Sequence, residues 1–340
     1  MNGIYKSDEG ERTIRERYGE LLKLWPVPHQ RLRLPTRQGE TFIIASGDAD
    51  APPVLLLHGS MSNCAVWLGD IAQWAASFRV YAVDVIGEPG FSAPSRPPLT
   101  CDAYALWLDD VLSALSLERT ALFGVSLGGW LALDYATRSP ERVTRLALMC
   151  PSGVGRQKIG FAFKILVLRL LGRWGARRAQ EMILGRTDRS EAARRQSEYI
   201  MLIDAHFRPR LVKLPIFSMR RLKRLTMPVL AVVGGKDVLL DSAGTRRTLE
   251  RIGADVRTLP EAGHFITGQT AAIIHFLRGD QPRIAFTANT MPSTAKRAAA
   301  QIRIVFSGRR AAKALPRNTT GALAIRSPSV DPATTSHRLR

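Results

Sequence analysis

The chain has 340 residues, 45% of them hydrophobic and 23% charged, a globular composition long enough to bury a substantial core. The formal charge of +20 suggests a nucleic-acid binder until it is divided: −3 over residues 1–155, +13 over 156–225, +1 over 226–279 and +9 over 280–340. No apolar run reaches the roughly 18 residues of a membrane span, the start MNGIYKSDEGERTIRER has no signal-peptide core, and the scattered Cys64, Cys101 and Cys150 fit neither a disulfide framework nor a zinc site, so a cytoplasmic protein is expected.

In chain order, residues 11–25 (ERTIRERYGELLKLW) set Ile14, Tyr18, Leu21 and Leu22 on one side of an amphipathic helix that Pro26 and Pro28 stop. RLRLPT and GETFIIASG alternate between Gly and Pro boundaries and predict a hairpin. From PVLLLHG onward the rhythm changes. RVYAVDVIG, TALFGV, RLALMCP and PVLAVVGG are short continuous apolar runs, as expected of strands covered on both faces, and VRTLP continues the series. Between or after them, VWLGDIAQWAASF, YALWLDDVLSALSL, GGWLALDYATRSPERV, TRRTLERIG and TAAIIHFLRG have helical patterns. This alternation predicts a mostly parallel sheet with helices on both faces.

Residues 156–225 break the alternation. They are helical in pattern and Arg-rich, with Arg169, Arg173 and Arg177 spaced to share one face, and they read as an inserted helical cap. Residues 280–340, rich in Ala, Arg, Ser, Thr and Pro, read as a basic, disordered tail. The expected organisation is an N-terminal helix and lead-in (1–34), a core (35–155 and 226–279), the cap (156–225) and the tail (280–340).

The stretch LFGVSLGGWLALDYA, residues 122–136, places Ser126 between Gly124 and Gly128, after an apolar run and before a helix. A sharp strand-to-helix turn needs small neighbours at those positions; it exposes the serine hydroxyl at the carboxyl end of the sheet and aims a helix N-terminus at developing negative charge. A serine hydroxyl is a weak nucleophile and needs a base. His264, in LPEAGHFI, is the best placed of six histidines. Asp237, in VVGGKDVLLD, follows a strand directly and is the candidate to orient it, with Asp241 the alternative. The order Ser126, Asp237, His264 suits such a fold. Backbone amides at Ser60 and Leu127 are the expected oxyanion donors, with Met61 the alternative to Ser60. His58 is expected to shape the oxyanion loop, and Asp84 a loop beside the site.

Together LLLHGS (55–60), DVIGEPGFS (84–92), GVSLGGW (124–130), GGKDVLLD (234–241) and EAGH (261–264) make residues 35–279 resemble the α/β-hydrolase superfamily. The GEPGFS turn and the N-terminal helix resemble its bacterial carboxylesterase-type members more closely. The resemblance implies an α/β-hydrolase fold with a helical cap, a triad of Ser126, Asp237 and His264, a small-molecule acyl substrate, and no metal or organic cofactor. A serine nucleophile argues against haloalkane dehalogenases and epoxide hydrolases, which place aspartate there. Carbon–carbon bond hydrolases, cofactor-free peroxidases and ligand-binding proteins of this fold stay open. The basic cap reads first as a solvated arginine face, and otherwise as a surface drawn to acidic substrates or anionic membranes. No motif for specific nucleic-acid recognition is present.

Overall fold

The continuous apolar runs are explained by strands whose alternate side chains enter two different cores. In β3 (Pro53–Leu57), Val54 and Leu56 join one buried cluster while Leu55 and Leu57 join the other. The same division holds for Phe123 and Leu122 of β5 (Thr120–Val125) and for Leu230 and Ala231 of β7 (Val229–Gly234). A strand buried on both faces has no polar side to alternate with.

The computed structural model describes residues 3–158, 191–210 and 212–280, with 160, 168, 170–172, 174, 175 and 178 between them. The face expected of Arg169, Arg173 and Arg177, and the tail beyond residue 280, lie outside the described residues. Among the described residues one sheet has eight strands in the order β1-β2-β4-β3-β5-β6-β7-β8. The remaining strands are β1 (His29–Thr36), β2 (Gly39–Ser46), β4 (Arg79–Val83), β6 (Val143–Met149) and β8 (Asp255–Leu259). The β1–β2 hairpin is antiparallel, as is the β2–β4 pairing, and every pairing from β4 to β8 is parallel. β1 begins at His29, so the expected lead-in and the sheet share a strand.

Helix α1 (Asp8–Leu22) starts where Ser7 Oγ accepts the Gly10 amide, with Asp8, Glu9 and Glu11 in its first turn. It buries Ile14, Tyr18, Leu21 and Leu22, the side read from the sequence. On the same face of the sheet lie α2 (Ile71–Ala75) and α8 (Thr270–Arg278); on the other lie α3 (Ala103–Ala114), α4 (Leu127–Arg138) and α7 (Ser242–Glu250). The single helix expected over VWLGDIAQWAASF is instead a 3₁₀ turn, Cys64–Trp67, followed by the five-residue α2. Gly69 and Asp70 interrupt it, and Asp70 accepts Thr270 Oγ1 at 2.6 Å rather than capping α2.

Between β6 and β7, α5 (Glu191–His206) packs on α1, and Tyr199, Ile203 and Phe207 enter the cluster that holds Ile14 and Tyr18. The chain then runs over the loops at the carboxyl ends of the strands. Arg210 donates to Pro97 O and to the Tyr104 hydroxyl, Trp130 Nε1 donates to Pro215 O, and Phe217 N donates to Gly153 O. The short α6 (Met219–Leu222) fastens the return to α4 through Arg221 and Asp134, 2.5 Å apart.

Candidate active site

Ser126 has φ +52° and ψ −107°, a strained backbone for a side chain, between the end of β5 and the first turn of α4. Its neighbours explain how the turn closes. A Cβ on Gly124 would sit 2.4 Å from Gly128 O, and one on Gly128 only 2.1 Å from Leu57 O. Two backbones therefore meet where any side chain would separate them. Ser126 N donates to Met149 O of the neighbouring strand, which holds the turn against the sheet.

The half-buried hydroxyl lies 3.0 Å from His264 Nε2, and His264 Nδ1 lies 2.8 Å from Asp237 Oδ2. With Asp237 ionised, Nδ1 carries the proton and donates to it, leaving Nε2 to accept from Ser126 Oγ. The loops carrying the two residues are tied together, with Lys236 N donating to Ala262 O and the Lys236 side chain paired with Glu261. Burial pushes the Asp237 carboxyl up, but the His264 hydrogen bond and charge and the amides of Leu240 and Leu239 outweigh it and hold the group below its ordinary value. Asp241 lies elsewhere: it caps α7 by accepting the Gly244 amide at 2.9 Å.

The HGSM loop after β3 is clamped from both ends. His58 is fully buried, and burial lowers its pKa, so the ring is neutral. Val85 N donates to its Nε2 at 2.9 Å, which makes Nδ1 the donor to Gly59 O at 2.8 Å. Met61 N donates to Glu88 Oε2 at 2.7 Å and is committed there. The Ser60 amide has no such acceptor among the described residues, and Leu127 opens α4, where helix amides have no intrahelical partner. Asp84 accepts the Tyr18 hydroxyl and the amides of Cys64 and Phe91, which ties α1 to the loop beside the site.

Two side chains near this centre escaped the sequence reading. Glu88 was visible only as the acid in the GEPGFS turn, and nothing local announces that it is buried. Cys150 directly follows β6, with its sulfur in a cluster with Asp237 and His264, all within 4.8 Å of one another. Burial and then the Asp237 charge push its thiol up, so it remains an S–H.

A profile of the alpha/beta hydrolase family matches residues 54–275. In sequence, the uncharacterized carboxylesterase nap of Bacillus subtilis is 42% identical over 146 residues, 43% of this chain and 48% of that protein. The chain thus spans about half the length of that relative. Solved structures extend the likeness. Carboxylesterase CesB (YbfK) and naproxen esterase (carboxylesterase NP), both from Bacillus subtilis, superpose with TM-scores of 0.63 and 0.62. Each is 26% identical, with 88% of this chain and 99% of theirs covered. The profile match takes in the HGSM loop, the strained serine turn and both loops that meet it, and the chain belongs to the alpha/beta hydrolase family.

Proposed function

We propose that the protein is a serine hydrolase that cleaves a carboxylic ester of modest size through an acyl-enzyme intermediate. The observation that carries this reading is the hydrogen-bonded series Asp237–His264–Ser126, with links of 2.8 and 3.0 Å. Ser126 Oγ attacks the ester carbonyl as its proton passes to His264 Nε2, and the protonated imidazole then delivers that proton to the departing alcohol. Water, activated by the same nitrogen, releases the acid. Asp237 keeps Nδ1 protonated and stabilises the imidazolium. Ser60 and Leu127 supply the backbone amides for the oxyanion, a choice supported by the engagement of Met61 N with Glu88. The carboxylesterase names of the relatives favour an ester over a carbon–carbon bond as the target. In this reading residues 35–155 and 226–279 are the catalytic core and 156–225 a cap over it. A cytoplasmic location is supported by Cys64, Cys101 and Cys150 all being free thiols.

A fluorophosphonate probe tests the reading, because it forms a phosphorus–oxygen bond only with an activated serine. Peptide mass spectrometry should find one adduct, on Ser126, that disappears in the His264→Ala variant. Labelling elsewhere, or undiminished ester turnover by folded Ser126→Ala, would sink it.

A contact with anionic membrane surfaces is a second component of the proposal. It is favoured by Leu170, Leu171 and Trp174, which are 80%, 55% and 64% exposed inside the segment of charge +13. Among the described residues no helix is long and apolar enough to cross a membrane.

A further inference from the structure

The turn after β4 sends a carboxylate back beneath the HGSM loop. Glu88 is 2% exposed, and its Oε2 accepts the Met61 amide at 2.7 Å, with Ser60 Oγ at 3.5 Å, the outer limit of a hydrogen bond. Met61 adopts a left-handed backbone, φ +56°, which side chains rarely take without something to hold it. The peptide before it is held separately. His58 Nδ1 donates to Gly59 O, the carbonyl of the peptide unit that also contains the Ser60 N–H. A trans peptide points its C=O and N–H in opposite directions, so fixing Gly59 O aims the Ser60 amide. Glu88 fixes the following peptide in the same way. Ser60 is therefore the joint between two restrained planes, and its orientation is lost if either is released.

The charged and titratable groups facing Glu88 are Arg96, from the loop before α3, Arg210, from the segment after α5, and Tyr104, from α3. Arg96 Nε donates to Gly87 O and its guanidinium lies over the Phe207 ring; Arg210 donates to Tyr104 and Pro97. Arg210 is hydrogen-bonded to other partners and Arg96 through Nε alone, its buried Nη2 having no partner among the described residues; neither bonds to Glu88, and both act on it through space, which leaves its Oε2 to the loop.

We propose that Glu88 is a positioning residue of the oxyanion hole, which by accepting the Met61 amide holds the Ser60 amide where it meets the developing oxyanion. The inference rests on the ester-hydrolase reading above. Glu88 touches no substrate; it acts through the backbone. The role requires an acceptor oxygen and no charge, so Gln satisfies it and an apolar side chain does not.

The test is steady-state hydrolysis of p-nitrophenyl acetate by the wild type and by Ser126→Ala, Glu88→Gln, Glu88→Ala and Glu88→Met, with folding checked by thermal unfolding. Glu88→Ala should lower kcat by about tenfold or more, short of the 10²–10³-fold loss on removing an oxyanion donor outright. KM should stay within about twofold, because the interaction is made in the transition state. Glu88→Gln should recover kcat to within about threefold of wild type. A trifluoromethyl ketone, whose serine adduct carries an oxyanion, should lose affinity for Glu88→Ala by the same factor as kcat/KM. Should the alanine variant not fold, Glu88→Met, similar in size and apolar, reads the same loss. Wild-type kcat in a folded Ala or Met variant overturns the role, as does a Gln variant as slow as they are, or a loss confined to KM. Activity surviving in Ser126→Ala would instead overturn the ester-hydrolase reading, so the two failures are distinguishable.

Discussion

Burial, the largest influence on Glu88, raises its pKa to about 7, against the Met61 amide, the charges of Arg96 and Arg210 and the Ser60 hydroxyl. The folded protein therefore keeps a proton that the unfolded chain has already released between the ordinary value of 4.5 and about 7. Stability from this group is fullest below that window and is lost as pH rises through it, by about 3 kcal/mol in all. Glutamine cannot titrate. Urea unfolding should therefore show Glu88→Gln gaining on the wild type by up to that amount between pH 5 and pH 8. A difference that stays constant with pH would rule this out. Asp237 has the opposite sign: its carboxyl is held low, so its contribution is present above the ordinary carboxylate range and fades as pH falls through the depressed value. The contrast also explains what the sequence could disclose about single residues. Ser126, Asp237 and His264 were legible because each follows a strand in a fixed order. Glu88 was not, because its importance comes from a desolvation that only the assembled loops create.

Gly128 is the contact point between β3 and α4. A methyl group there would lie 2.1 Å from Leu57 O and 2.6 Å from His58 O, both backbone atoms that cannot rotate away. Gly128→Ala should destabilise the protein by about 1–3 kcal/mol or more, since strand and helix must separate. Because that separation moves Ser126 away from the HGSM loop, fluorophosphonate labelling should slow even where the variant is folded. A wild-type melting temperature and labelling rate would show that the two elements separate freely. Most elements could be read ahead of the structure because two-sided burial leaves an unmistakable run of apolar residues, as in TALFGV and PVLAVVGG. VWLGDIAQWAASF misled because its apolar residues are real core residues on two short turns: Trp74 stacks on Phe123 and Trp67 packs tilted against the same ring, but across the break at Gly69 and Asp70. Composition reports burial there. It does not report continuity.

Charge on the scale of the whole chain is concentrated in residues 156–225, where exposed Leu170, Leu171 and Trp174 accompany it. If that surface meets lipid, the protein should sediment with phosphatidylglycerol vesicles at low salt and stay in solution with phosphatidylcholine alone. Raised salt should release most of it, since the attraction is screened. Trp174→Ser should weaken what remains. Equal sedimentation with both lipids, or with neither, would remove the membrane from the proposal. The sheet architecture was legible at this scale, whereas the path of residues 207–210 and 212–217 over the strand ends was not. Its anchors, Arg210 on Tyr104 and Trp130 on Pro215, join positions 106 and 85 residues apart and leave no periodic trace. Among the described residues the sheet also ends in two rims, β1 and β8, and a rim is a template on which another molecule can add a strand. On β1 that template is spoiled by Arg31 and Arg33, whose water an incoming strand would have to strip away, and by Pro35, which offers no amide. β8 offers only five residues, with Asp255 and Arg257 paired across its surface. The same layout that opens one end of the sheet for chemistry thus leaves its sides poor nuclei for aggregation, a protection that hydrophobic replacements at Arg31 and Arg33 would remove without touching the site.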